Sequence, residues 1–243
     1  MADTQQPQAA PATDISINFK DSTLIVSPTA AVDGFDKDSY DTAVLVTELE
    51  INNPSERLVE IPLPFLTKSY TASMAVISKG ADEYSDRVFQ VTKVKGDATR
   101  FIPYLQKMGV PQETLENKKE LKKLLAGFRV GLINIPEGTV ILRIEASEVV
   151  TPNESDPSGK TFTFKTYAPL PSFTVGSGAS MRLTAIFKQL DRYPRTITQV
   201  QSNPYGDSVG LPEPTLYDGI SGEKIFHWEW RNDPVIDWTV TYQ

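Results

Sequence analysis

Few residues in this 243-residue chain could do chemistry, and they are quickly counted. His227 is the only histidine and there is no cysteine. A zinc site built from His and Cys ligands is therefore out of reach, and a Ser–His–Asp triad would hang on one residue. His227 stands between Phe226 and Trp228 in an alternating run, which predicts a sheet-face position opposite the tryptophans. Glu229 and Asp237 are the carboxylates best spaced for a glycosidase pair, where two carboxyl groups about 5–9 Å apart share the work. They would qualify if Phe226–Arg231 and Ile236–Tyr242 formed a hairpin, yet an acidic β-protein offers such pairs by chance.

Other motifs resolve into structure in the same way. Asp33, Asp36, Asp38 and Asp41 form an acidic loop that invites calcium, because hard cations want several carboxylate oxygens. Counted from Asp33, the sixth position lacks the EF-hand glycine and the twelfth lacks its closing Glu, so the expectation is a solvated loop. Gly176-Ser177-Gly178 opens like a dinucleotide fingerprint, but Met181 replaces the third glycine and strands flank it on both sides. A hairpin turn is predicted there. Asn153-Glu154-Ser155 has the form of a glycosylation sequon, without meaning in a chain that is not exported. Neither a G-x-S-x-G elbow nor a Walker A loop occurs, so no catalytic, cofactor-binding or metal residue is assigned.

Composition narrows the partners. The net charge of −7 works against binding a polyanion, which takes clustered Lys and Arg. It also disfavours an anionic membrane surface. Lys118, Lys119, Lys122 and Lys123 are one basic cluster on a predicted helix, read as a solvated face because no other segment reinforces it. No apolar run approaches the roughly 20 residues that span a bilayer, and the first residues have neither a basic nor an apolar signal region. Synthesis without export is expected, with the product in a virion or the cytoplasm.

The elements that would position these residues are strands. Thr139–Val150 alternates over twelve residues, with Val140, Leu142, Ile144 and Ala146 on one face and Ile141, Arg143, Glu145 and Ser147 on the other. Phe162 and Phe164, then Met181, Leu183, Ala185 and Phe187, repeat the apolar face. Ile15, Ile17 and Phe19 alternate before a predicted turn at Asp21–Ser22. Ala43–Ile51 and Leu58–Leu63 read as a hairpin across NNPSER. Ser73–Ser78 and Val88–Val94 are further strands. Within 97–128 the period turns helical: Asp97 would cap one helix and Asn117, with Glu120, a second whose buried stripe is Leu121, Leu124 and Leu125. Phe226, Trp228, Trp230, Ile236 and Trp238 make the last pair of strands the most apolar, and core packing rather than a sugar-binding platform is expected of them.

The fold class predicted is mainly β, an antiparallel β-sandwich or jelly roll with a short two-helix insertion. Residues 1–13 are read as a flexible arm and 14–243 as one domain, with a long irregular loop at about 189–224. The function expected is a non-enzymatic structural protein that associates with copies of itself or other structural subunits, as in a virion capsid, decoration or tail, or a shell. A carbohydrate- or receptor-binding module is the alternative, and a carboxylate-pair hydrolase comes third.

Overall fold

A computed structural model describes residues 14–28, 40–64, 70–77, 89–90, 92–93, 102–107, 110–125, 128–153, 155–157, 161–166, 173–189, 196–204, 213–231 and 236–243. In chain order the strands are β1 (Ser16–Pro28), β2 (Asp41–Asn53), β3 (Arg57–Pro64), β4 (Tyr70–Ile77), β5 (Phe89–Gln90) and β6 (Thr92–Lys93). Three short helices follow, α1 (Ile102–Lys107), α2 (Gln112–Glu116) and α3 (Lys118–Leu125). Then come β7 (Phe128–Ile135), β8 (Gly138–Val150), β9 (Phe162–Thr166), β10 (Thr174–Phe187), β11 (Ile197–Pro204), β12 (Thr215–Asp218), β13 (Lys224–Arg231) and β14 (Ile236–Tyr242). The protein is mainly β, as its alternation predicts.

One large sheet runs β12-β13-β10-β1-β2-β8-β4-β5, and two three-stranded sheets run β11-β14-β9 and β3-β7-β6. Each small sheet shares a core with one part of the large one. Val59, Ile61, Ile133 and Ile135 pack with Ile17, Leu49, Ile51, Met74, Leu142 and Ile144. Phe162, Phe164, Val240 and Tyr242 pack with Leu24, Val26, Leu183, Ala185, Phe187 and Trp228. Tyr242 stacks on Phe162 at 5.4 Å and meets Phe187 of the large sheet edge-on at 5.1 Å, so aromatic rings join the layers. Where the two clusters adjoin, the inner face carries Lys20, Ser22 and Thr47, all buried. The Ser22 and Thr47 hydroxyls lie 3.2 Å apart and satisfy one another.

The register corrects several sequence expectations. β1 is continuous through Asp21–Ser22, with no turn there. It bulges at Asn18 instead, because Ile17 pairs with Ile51 and Phe19 with Glu50. A bulge flips the alternation, so Phe19 faces away from Ile17 rather than sharing its side. The pair of β1 with β10 is parallel, which makes the large sheet mixed rather than antiparallel throughout. Gly176-Ser177-Gly178 is not a hairpin turn. It lies within β10, where Val175 pairs with Ile17 and Ser180 with Phe19, so residues 176–179 bulge opposite Asn18.

Neither predicted hairpin forms. β2 pairs with β1 and β8, whereas β3 pairs with β7, so NNPSER carries the chain between sheets. Asn53 makes this crossover specific: its amide donates to the Ile135 and Pro136 carbonyls at 2.9 Å, and its Oδ1 accepts from Arg57 at 3.1 Å. Likewise β13 belongs to the large sheet and β14 to a small one.

The region 189–224 contains β11 and β12, so it is not wholly irregular. Among the described residues the helical region holds α1 and then α2 and α3, which Asn117 alone separates. Asn117 caps α3 as expected, its Oδ1 accepting from the amides of Lys119 (3.1 Å) and Glu120 (3.4 Å). Leu115 and Leu121 are buried and the four lysines exposed. The arm 1–13, Asp97 and the aspartates Asp33, Asp36 and Asp38 lie outside the described residues.

Candidate functional site

Titratable side chains converge on the outer face of the large sheet, which the pairing register lets one read row by row. One row is Glu229, Arg182, Asp21, Glu48 and Arg143, on β13, β10, β1, β2 and β8 in turn. Arg143 bridges Glu48 at 3.1 Å and its own-strand neighbour Glu145 at 3.6 Å, while Arg182 lies 3.9 Å from Glu229. The Arg182 guanidinium also sits over the Phe19 ring, 5.0 Å from its centroid. Asp21 and Glu48 stand directly opposite each other. Desolvation on the sheet raises the Asp21 pKa, Arg182 and His227 pull it back, and Glu48 adds to the rise. These carboxylates and guanidiniums largely neutralise one another, and exposed pairs of this kind contribute at most about 1 kcal/mol each.

The neighbouring rows are not ionic. Thr215, His227, Thr184 and Thr23 follow one another, with His227 Nδ1 3.0 Å from the Thr184 hydroxyl. Beyond them runs an apolar row, Tyr217, Ile225, Ile186, Ile25 and Val44.

His227 thus lies on the outer face, opposite buried Trp228, as its alternation predicts. Glu229 shares that face, but Asp237 is on β14, paired with Asn203 in a different sheet. The predicted carboxylate pair therefore does not assemble across a hairpin. Asp41 opens β2 and is fully buried, so it is not part of a solvated loop. Among the described residues, no three His, Asp or Glu side chains are grouped to hold a metal ion. Asn153 donates from its amide to the Thr163 hydroxyl at 3.0 Å.

Sequence reasoning missed the most exposed apolar group. β12 is an edge strand of the large sheet, pairing with β13 alone among the described strands. Leu216 is 65% exposed, Tyr217 54%, and Ile220, in the connection to β13, fully so. Only Tyr40 joins them as an exposed large hydrophobe among the described residues. The connection is closed by Gly219 donating to the Glu223 carbonyl at 2.8 Å and by Gly222 at φ +84°, so Ile220 is held out by an ordered turn. Lys224 Nζ meets Asp218 at 2.5 Å, which cancels the one charge on the strand. The alternation of TLYD is too short to register in a sequence, and Pro212, Pro214 and Gly219 around it read as loop.

No protein-family model matches this chain, and no curated protein matches its sequence. No helix among the described residues is long and apolar enough to cross a membrane.

Proposed function

We propose that this chain is a non-enzymatic structural protein that self-associates into a larger assembly, as a capsid, decoration or tail subunit of a virion, or as a shell subunit. The observation that supports it is the cluster of exposed Leu216, Tyr217 and Ile220 on and beside an edge strand that pairs with β13 alone among the described strands. Proteins blunt such edges with short strands, charges, Pro or a bulge, and β12 is short with Pro214 before it, yet two of its four residues are exposed and apolar. Here the strand itself carries only Asp218, tied to Lys224. Its partners are copies of itself or other structural subunits, in a virion or the cytoplasm. The net charge of −7 weighs against nucleic acid or an anionic membrane as the ligand.

Light-scattering mass across a concentration and salt series, with negative-stain imaging, tests the reading. Concentration-dependent growth into rings, tubes or shells is expected. A clean monomer at high concentration under every salt condition refutes it. The alternative, a carbohydrate- or receptor-binding module, has one favourable observation, the exposed Tyr217 ring. Trp228, which such a platform would use, is 2% exposed and part of the core. Glycan binding lost on Tyr217→Ala would promote that alternative.

A further inference from the structure

Resting on the self-association just proposed, we infer that β12 is the contact itself: it pairs antiparallel with the β12 of a second copy about a two-fold axis normal to the sheet. The joined molecules would share one continuous sheet through this edge.

The occupant follows from the geometry of the strand. Leu216 pairs with Phe226 and shares the inner face, whereas Tyr217 pairs with Ile225 and shares the outer one. Each face of this edge therefore presents an exposed apolar side chain, which a like strand can cover from the side. Residues directly opposite in an antiparallel pair must lie on the same face. With a four-residue strand, only two registers satisfy this and overlap three residues. Either Leu216 faces the second copy's Leu216, with Thr215 opposite Tyr217, or Tyr217 faces the second copy's Tyr217, with Leu216 opposite Asp218. Both put apolar on apolar at the axis. Neither places two carboxylates opposite each other: continued outward, Glu213 meets Gly219 in the first and Ser221 in the second. With an apolar pair at the axis and no carboxylates opposed in either register, the strand fits a second copy of itself, the Leu216–Leu216 register better because it leaves no apolar strand residue against Asp218.

So short an edge covers well under the ~800 Å² per partner of a standard stable interface. The pairing is therefore expected to be weak alone and concentration-dependent, one of several contacts in an assembly.

The absence of native cysteine gives a clean test. Directly opposed Cα atoms stand about 4.5 or 5.5 Å apart, within the ~4.4–6.8 Å that a disulfide spans. Leu216→Cys and Tyr217→Cys chains are oxidised at a concentration where the native chain self-associates, with exposed Thr139→Cys as control. One of the two edge variants should convert mostly to a covalent dimer, several-fold above the control. In parallel, the double change Leu216→Lys, Tyr217→Lys should lower the scattering mass while circular dichroism stays native. If neither edge variant crosslinks above control and the Lys variant keeps its mass while the native chain assembles, this inference falls and self-association stands. If the native chain is monomeric throughout, both fall together.

Discussion

Replacing Gly176 with Ala separates a bulge from a hairpin turn at the Gly176-Ser177-Gly178 segment. A methyl group built on Gly176 would stand 2.8 Å from Asn18 Oδ1 and 3.0 Å from the Ile17 carbonyl oxygen. The amide end of Asn18 can swing away, but the Ile17 oxygen belongs to the backbone of a central strand and can yield only by moving the ladder. Overpacking of this kind costs about 1–3 kcal/mol. At about 2–4 °C per kcal/mol for a chain of this size, the melting temperature should fall by roughly 2–12 °C. Gly178 differs: at φ +80° nothing lies within 4 Å of its added methyl, so Gly178→Ala costs the left-handed conformation alone, about 1–2 kcal/mol. Asn tolerates that conformation, so Gly178→Asn should recover most of the loss, whereas Gly176→Asn should be worse than Gly176→Ala. Thermal and urea unfolding of the four variants read this out. A Gly176→Ala change within about 0.5 kcal/mol of neutral, the range of ordinary surface substitutions, would refute the close approach of β10 to β1.

Trp228→Ala should cost about 3–5 kcal/mol as a core truncation, while Glu229→Gln next to it should move urea stability by less than about 1 kcal/mol; equal effects would contradict the two faces assigned to β13. Ser22→Ala leaves the buried Thr47 hydroxyl without its partner and should cost about 1–3 kcal/mol, yet adding Thr47→Val should bring stability back toward native, which a double-mutant cycle measures. Because desolvation raises the Asp21 pKa, the folded state binds that proton more tightly than the unfolded one. Ionised Asp21 therefore costs stability above its raised pKa, and the cost is relieved as pH falls through that value. Asp21→Asn should raise the melting temperature at pH 7, with the gain shrinking on acidification; a gain that grows toward acid pH would reverse the sign.

Strand interiors were legible because burial on one face forces a period of two. β8 places Val140, Leu142 and Ile144 inward and Ile141, Arg143 and Glu145 outward, as its letters alternate, and β10 buries Met181, Leu183, Ala185 and Phe187. Pairing was not legible, because a half-buried strand looks the same whichever neighbour it has. The sequence neighbours β2 and β3, or β13 and β14, suggest hairpins, but their connections pass between sheets, and only contacts such as Asn53 to Ile135 reveal it. The Asn18 bulge was hidden for a related reason. An apolar ring is compatible with either side of the sheet, so Phe19 continued the pattern of Ile15 and Ile17 on paper while facing Arg182 in the fold. The Glu229–Asp237 pair failed with the hairpin that would have carried it. The Asp21–Glu48 row could be seen only once β1 and β2 had a register.

The two ends of the large sheet show why the β12 edge is the more telling one. At the opposite end, β5 pairs with β4 through Phe89 and Gln90, and two residues later Thr92 and Lys93 pair with β7 of a small sheet. Phe89–Gln90 and Thr92–Lys93 thus belong to different sheets. At the β12 end the chain turns back through the Gly219–Glu223 connection and stays in the same sheet, with Thr215–Asp218 as the last row among the described strands. Solubility alone would favour a polar residue at each of these positions, since an exposed apolar side chain on an edge gains nothing for the monomer. Leu216, Tyr217 and Ile220 are instead held in place by an ordered turn and an ion pair. Covering them would remove apolar surface from water, which is why the proposed contact is placed at this edge rather than on the balanced charges of the outer face.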